Sequence, residues 1–227
     1  MNIGIIGIGG VGGYFGGKLS QVTENNPSIN IYFIARNQHL TEIQKNGLRL
    51  DTDEGLFICK PTLSTDRISD LPLLDLCLIC VKSYDLTNIL IQLKPKIQES
   101  TMILPLLNGI DISERIRTII SSGVVFPSCV YVGTHIEKPG TVKQRGGACT
   151  IIFGKDPNNS LVNPVIFDLL KQANIKHTWM ENPYTEIWSK FIFIAAFGLV
   201  TANFNKTIGE VLQSKELSGF VITIMEE

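Results

Sequence analysis

Apolar residues fall along this chain in two rhythms. Short, nearly unbroken apolar runs at Asn2–Ile6, Ile29–Ala35, Leu74–Val81, Thr101–Leu107 and Val124–Val132 read as buried strands. Between them, helical spacing runs from the glycines after Ile6 to near Val22, and again over Leu40–Asn46, Tyr84–Ile97 and Ile112–Ile120. Asn25-Asn26-Pro27-Ser28 is a turn. Leu48–Leu50 and Leu56–Lys60 flank Asp51-Thr52-Asp53-Glu54-Gly55, the pattern of a hairpin. Thr141–Gln144 and Thr150–Phe153 read as a strand pair around Gly146 and Gly147, with a helix near Leu161–Ala173 after them. Strands alternating with helices predict an α/β fold with a doubly wound, parallel sheet over residues 1–182.

The rhythm changes after Pro183. Thr185–Asn203 reads as one long helix that is apolar on most sides, carrying Ile187, Trp188, Phe191, Ile192, Ile194, Ala195, Phe197 and Leu199. More helix is predicted from Ile208 to Leu212 and from Leu217 onward, so residues 183–227 form an all-helical region. So short a region is small for an independent core. The expectation is an incomplete C-terminal domain, either truncated or completed by a partner chain, with a second copy as the candidate through a homodimer.

Composition adds exclusions. The 227 residues carry a net charge of -1, with 44% hydrophobic and 18% charged residues, so no basic field points to nucleic acid. No unbroken apolar run approaches the roughly 18 residues of a membrane span. Residues 1–17 lack a positive start and are broken by glycine, unlike a signal peptide. The reading is cytoplasmic. The five cysteines are an odd, scattered set, which argues against a disulfide framework. Cys77 and Cys80 have CxxC spacing, but they sit in a strand, where residues three apart face opposite sides. They are read as small core residues, and no metal site is expected.

The chemistry begins at Gly7-Ile8-Gly9-Gly10-Val11-Gly12, a G-x-G-x-x-G run that follows a strand, opens a helix and precedes a second strand. Gly7 makes the tight turn, Gly9 lets the backbone approach a pyrophosphate, and Gly12 lets helix and strand pack closely. Phosphates then sit at a helix N-terminus, where N–H groups and the dipole favour anions. At the end of the second strand, NAD-selective folds place an acidic residue for the ribose. This chain has Ala35-Arg36-Asn37 instead. A guanidinium fork suits a 2′-phosphate, and no carboxylate stands there to repel it, so the cofactor reading is NADPH.

Ligands of such sheets bind beyond the carboxyl ends of the strands. Lys82-Ser83, Asn108-Gly109 and Gly133-Thr134-His135 follow strand ends. Lys82 could present an ammonium to a carboxylate or ribose, and Asn108 could hydrogen-bond a carbonyl or the cofactor; ordinary turn chemistry is the other reading of both. His135 is a candidate acid or base, although Ile136–Gly140 reads as a surface turn. Lys190, early in the apolar helix, either snorkels to solvent or sits in a pocket where it could donate a proton to a developing alkoxide.

The opening Asn2–Gly16, then Ile34-Ala35-Arg36, Val81-Lys82, Asn108-Gly109 and Glu186-Ile187-Trp188-Ser189-Lys190, in that order and spacing, resembles the 2-dehydropantoate 2-reductases, also called ketopantoate reductases. The resemblance covers essentially the whole chain. It implies reduction of the ketone of 2-dehydropantoate by NADPH to pantoate, for pantothenate and coenzyme A synthesis. It also implies Arg36 at the 2′-phosphate, Lys82 and Asn108 near the nicotinamide and substrate, and Lys190 as general acid. Two departures stand out. Family members often carry asparagines one and two turns after the lysine, where this chain has Ile194 and Gly198. The family also uses a serine and a glutamate from later helices, beyond Glu227. A reductase of another branched 2-ketoacid and a non-catalytic dinucleotide-binding module are the alternatives.

Overall fold

A computed structural model describes residues 1–23, 26–159 and 161–227. Of the turn expected at residues 25–28, Asn25 lies outside the described residues.

In chain order the elements are β1 (Asn2–Ile6), α1 (Gly10–Thr23), β2 (Asn30–Ile34), α2 (Asn37–Asn46), β3 (Leu48–Thr52), β4 (Gly55–Cys59), β5 (Leu63–Thr65), β6 (Leu74–Ile79), α3 (Leu86–Leu93) and β7 (Ile97–Pro105). Then come α4 (Ile112–Arg117), β8 (Val124–Val125), β9 (Ser128–Tyr131), β10 (Thr134–Lys138), β11 (Thr141–Gln144), β12 (Thr150–Gly154), α5 (Val165–Gln172) and β13 (Lys176–Met180). The helices α6 (Tyr184–Phe204), α7 (Ile208–Gln213) and α8 (Lys215–Glu226) follow. The chain divides into two compact units, Met1–Pro183 and Tyr184–Glu227.

The first unit is built on a six-stranded sheet in the order β5-β2-β1-β6-β7-β8, and all its pairings are parallel. The order runs outward from β1 in both directions, the doubly wound arrangement that the alternating pattern predicts. Both faces are covered, as parallel sheets require. Along β1, Ile3 and Ile5 enter one core with Phe15, Leu19 and Phe33, while Ile6 enters the other with Leu86, Leu90 and Ile116. The same period of two places Leu76 and Leu78 of β6 in the first core and Cys77 and Ile79 in the second.

Two smaller sheets depart from the sequence reading. The β3–β4 hairpin forms as expected, with Thr52 opposite Gly55. It extends into a four-stranded sheet in the order β10-β11-β3-β4. Thr141–Gln144 and Thr150–Phe153 are not a pair: β11 joins β10 and β3, whereas β12 lies between β9 and β13 in a third sheet. Val124–Val132 is not one strand. Pro127 has no N–H to continue a ladder, and the run breaks into β8, on the edge of the parallel sheet, and β9, in the third. The helix expected over Tyr84–Ile97 is α3 alone: Pro95 follows it in a short 3₁₀ turn, and Ile97 already begins β7.

The second unit has a small core of its own, with Ala196, Phe197 and Val200 of α6 packed against Val211 and Val221. Thr207 and Glu210 form a reciprocal capping box at the start of α7, and Ser214 caps α8. Among the described residues, α6 is long and apolar enough to cross a membrane by length and composition, although Ser189 and Lys190 interrupt its apolar run. Trp188, Ile192, Phe193 and Leu199 on α6 are exposed.

Candidate active site

Four strand ends meet on one rim of the parallel sheet. Ile34 of β2, Ile6 of β1, Ile79 of β6 and Pro105 of β7 are neighbours in register. Because the strands are parallel, the residues that follow leave the sheet on the same edge: Ala35-Arg36, Gly7, Cys80-Val81-Lys82 and Leu106-Leu107-Asn108. Backbone bonds tie the rim together. Gly7 and Ile8 both donate to the Ile34 carbonyl (3.0 and 2.9 Å), Cys80 donates to Ile6 (2.8 Å), and Leu106 donates to Ile79 (2.8 Å).

The glycine turn is built by close approach. Gly7 has φ +97°, a conformation side chains rarely adopt. A Cβ on Gly12 would lie 2.1 Å from the Gly7 carbonyl oxygen and 3.0 Å from the Cys80 Cβ. These two glycines let α1 start hard against the β1 turn and the end of β6. Two more glycines are needed for reasons the motif does not announce. A Cβ on Gly10 would be 2.7 Å from the Thr134 carbonyl oxygen, and one on Gly13 would be 2.6 Å from the Val142 side chain. Gly9 differs, since no atom lies within 4 Å of its would-be Cβ. The turn therefore leaves open space at Gly9, beside the first helical N–H groups of α1, which have no acceptor within the helix. That cradle fits a dinucleotide pyrophosphate.

Arg36 follows β2 with an extended backbone and immediately precedes α2. Its side chain is 71% exposed, and its Nη2 lies 3.3 Å from Asp85 Oδ2. This corrects the expectation that no carboxylate stands near Arg36, because the chain delivers one from the loop after β6. Lys82 and Asn108 are both exposed at the rim. The Lys82 carbonyl accepts from the Asp85 N–H (3.0 Å), and Gly109, at φ +136°, turns the chain after Asn108.

His135 does not follow a strand of the parallel sheet: it lies in the four-stranded sheet, next to Thr134, whose carbonyl packs against Gly10. It is an exposed residue of β10, opposite Lys143, so the expected surface turn at Ile136–Gly140 is largely strand, and His135 does not follow a strand end as expected. Cys77 and Cys80 pack into the two opposite cores, as their spacing implies. Burial pushes the Cys77 thiol up to about 12 and raises that of Cys80 as well. Neither is disposed to be a reactive thiolate.

In the second unit, Lys190 is 8% exposed, one of the few buried charged side chains among the described residues. One turn later on α6, Ile194 is half-buried; a turn beyond it, Gly198 is exposed, with no atom within 4 Å of a would-be Cβ. Lys18 is also buried, and its Nζ donates to both oxygens of Glu54 (2.7 and 2.8 Å) and to the Asn174 carbonyl (3.1 Å).

A doubly wound sheet with an open glycine cradle at its central strand end defines a dinucleotide-binding protein of the Rossmann class. Residues 3–158 match the family model described as Ketopantoate reductase PanE/ApbA. The chain belongs to the ketopantoate reductase family of dinucleotide-dependent oxidoreductases. It is 28% identical over 231 residues to a 2-dehydropantoate 2-reductase of Streptococcus pyogenes, covering 100% of this chain and 72% of the relative. The crystal structure of 2-dehydropantoate 2-reductase from Porphyromonas gingivalis W83 superposes with a TM-score of 0.87 at 32% identity, covering 99% of this chain and 80% of the other. A ternary structure of D-mandelate dehydrogenase with NADH and anilino(oxo)acetate shares the fold, with a TM-score of 0.82 at 20% identity and cover of 97% and 70%.

Proposed function

We propose that this protein reduces 2-dehydropantoate to pantoate with NADPH, within pantothenate and coenzyme A synthesis. The observation that supports this best is the shared rim: the open cradle at Gly9, the Arg36 guanidinium, Lys82 and Asn108 all follow strand ends of one register row in a chain of this family. In this reading the backbone of Gly7, Ile8, Gly9, Gly10, Val11 and Gly12 holds the pyrophosphate, and Arg36 holds the 2′-phosphate. Lys82 and Asn108 contact the nicotinamide half and the substrate carboxylate. The cofactor, when bound, supplies a hydride to the ketone carbon. Lys190 then protonates the ketone oxygen from its ammonium, so the carbonyl becomes a hydroxyl and the lysine is left neutral until it regains a proton from solvent. Burial of Lys190 favours that role, because a charge kept from water acts more strongly on a developing alkoxide. Residues 183–227 are assigned to the substrate and dimerisation region.

Ile194 and Gly198 leave two positions of α6 without polar side chains, which favours a more apolar 2-ketoacid as the second reading of the substrate. The test is Lys190→Ala assayed with NADPH against 2-dehydropantoate and other branched 2-ketoacids. Removing a general acid should lower kcat about 10²- to 10⁴-fold with the NADPH Kd unchanged. Unchanged ketone reduction would remove Lys190 from the chemistry.

A further inference from the structure

We propose that Asp85 is a specificity-determining residue that holds back the preference for NADPH which Arg36 alone would give; this rests on reading Arg36 as the 2′-phosphate group. Asp85 stands at the start of α3, where an aspartate ordinarily turns its carboxylate onto the helix's own first N–H groups. Here it makes no such cap. Its Oδ2 lies 3.3 Å from Arg36 Nη2 instead, across 49 residues of sequence. The backbone around it is fixed: the Asp85 N–H donates to the Lys82 carbonyl (3.0 Å), and its carbonyl accepts from Ile89 (3.1 Å). Arg36 stands at the start of α2, and its guanidinium has only donors to offer. Two helix starts thus aim opposite charges at one point on the cofactor rim.

The consequence for a ribose is direct. A guanidinium has five N–H donors, so the ion pair leaves donors for a second anion. A 2′-phosphate arriving there must share the cation with Asp85 and sit close to its negative charge. A ribose hydroxyl at the same place meets no repulsion, and a carboxylate can accept its hydrogen bond. The pair therefore disfavours the phosphate form and favours the hydroxyl form, relative to a site holding Arg36 without Asp85. Both side chains are partly in water, so salt must weaken the effect.

The experiment is calorimetric or fluorescence titration of the full chain with NADPH and with NADH, on wild type, Asp85→Asn and Arg36→Ala. Removing the Asp85 charge beside the 2′-phosphate site should tighten NADPH roughly three- to tenfold in Asp85→Asn, the pair being largely exposed, while NADH weakens or stays within about twofold. The gain should shrink as salt is raised. An NADPH Kd within about twofold of wild type in Asp85→Asn, with Arg36→Ala still losing NADPH selectively, overturns the role of Asp85 and leaves the cofactor reading intact. Equal losses of NADPH and NADH in Arg36→Ala overturn the cofactor reading itself.

Discussion

Gly12→Ala and Gly9→Ala should separate the two jobs of the glycine turn. At Gly12 the added methyl would stand 2.1 Å from the Gly7 carbonyl oxygen, against a floor near 3.0 Å for real contacts. Relief requires α1 to move back by roughly 1 Å, because the obstacles are a main-chain carbonyl and the Cβ of Cys80, neither of which can rotate aside. That helix carries Tyr14, Phe15 and Leu19 into the core, so its retreat loosens their packing. Overpacking costs about 1–3 kcal/mol in general, and a backbone clash belongs at the upper end. At about 2–4 °C per kcal/mol for a chain of this length, the Tm should fall by roughly 6–12 °C. Gly9→Ala meets nothing within 4 Å, so its Tm without cofactor should stay within about 2 °C of wild type. The methyl would instead occupy the space left for the pyrophosphate, and NADPH binding should weaken at least about tenfold. The assay is thermal unfolding by circular dichroism without cofactor, paired with NADPH titration. A wild-type Tm in Gly12→Ala, or wild-type NADPH affinity in Gly9→Ala, would refute the reasoning.

Two further outcomes follow from polar groups that are half-buried or buried. His39 Nδ1 accepts the Gly140 N–H (3.0 Å), which requires the neutral ring, and burial lowers its pKa below the ordinary 6.5. A depressed folded-state value means the stabilisation is present above pH 6.5 and is lost as pH falls through the folded value, because the unfolded chain takes up the proton first. Urea midpoints measured from neutral pH downward should fall more steeply in wild type than in His39→Gln; parallel curves would contradict this. Asp156 accepts from Arg117 and from the Val125 N–H (2.8 Å) with its side chain 1% exposed. Asp156→Ala should cost about 3–5 kcal/mol in urea unfolding by stranding a partly buried guanidinium, and a loss under about 1 kcal/mol would show the pair to be a surface contact in energy.

What could be read from the sequence was what is local. The first strand, glycine turn, helix and second strand lie within Asn2–Ile34, and their signals are contiguous, so the cofactor half of the fold was legible. The smaller sheets were not, because β11 finds its parallel partner in β3, near Arg49, and β12 pairs with β9 and β13. Period and propensity carry no information about such distant partners. Pro127 was a visible breaker that the apolar run around it outweighed. The need for glycine at positions 10 and 13 depends on Thr134 and Val142, more than a hundred residues on. The carboxylate beside Arg36 was hidden for the same reason, since nothing near Arg36 in sequence announces Asp85. Lys190 stood between a snorkelling and a pocketed reading because an all-round apolar helix has no face that decides burial; the structure buries it.

The most direct test of the account is the rate of NADPH oxidation by this chain across a panel of 2-ketoacids that includes 2-dehydropantoate. Cofactor oxidation should require a 2-ketoacid, with 2-dehydropantoate or a close branched analogue the best substrate, and should yield one 2-hydroxyacid per NADPH consumed. Tight NADPH binding with no turnover of any 2-ketoacid would contradict it and leave a dinucleotide-binding module in its place.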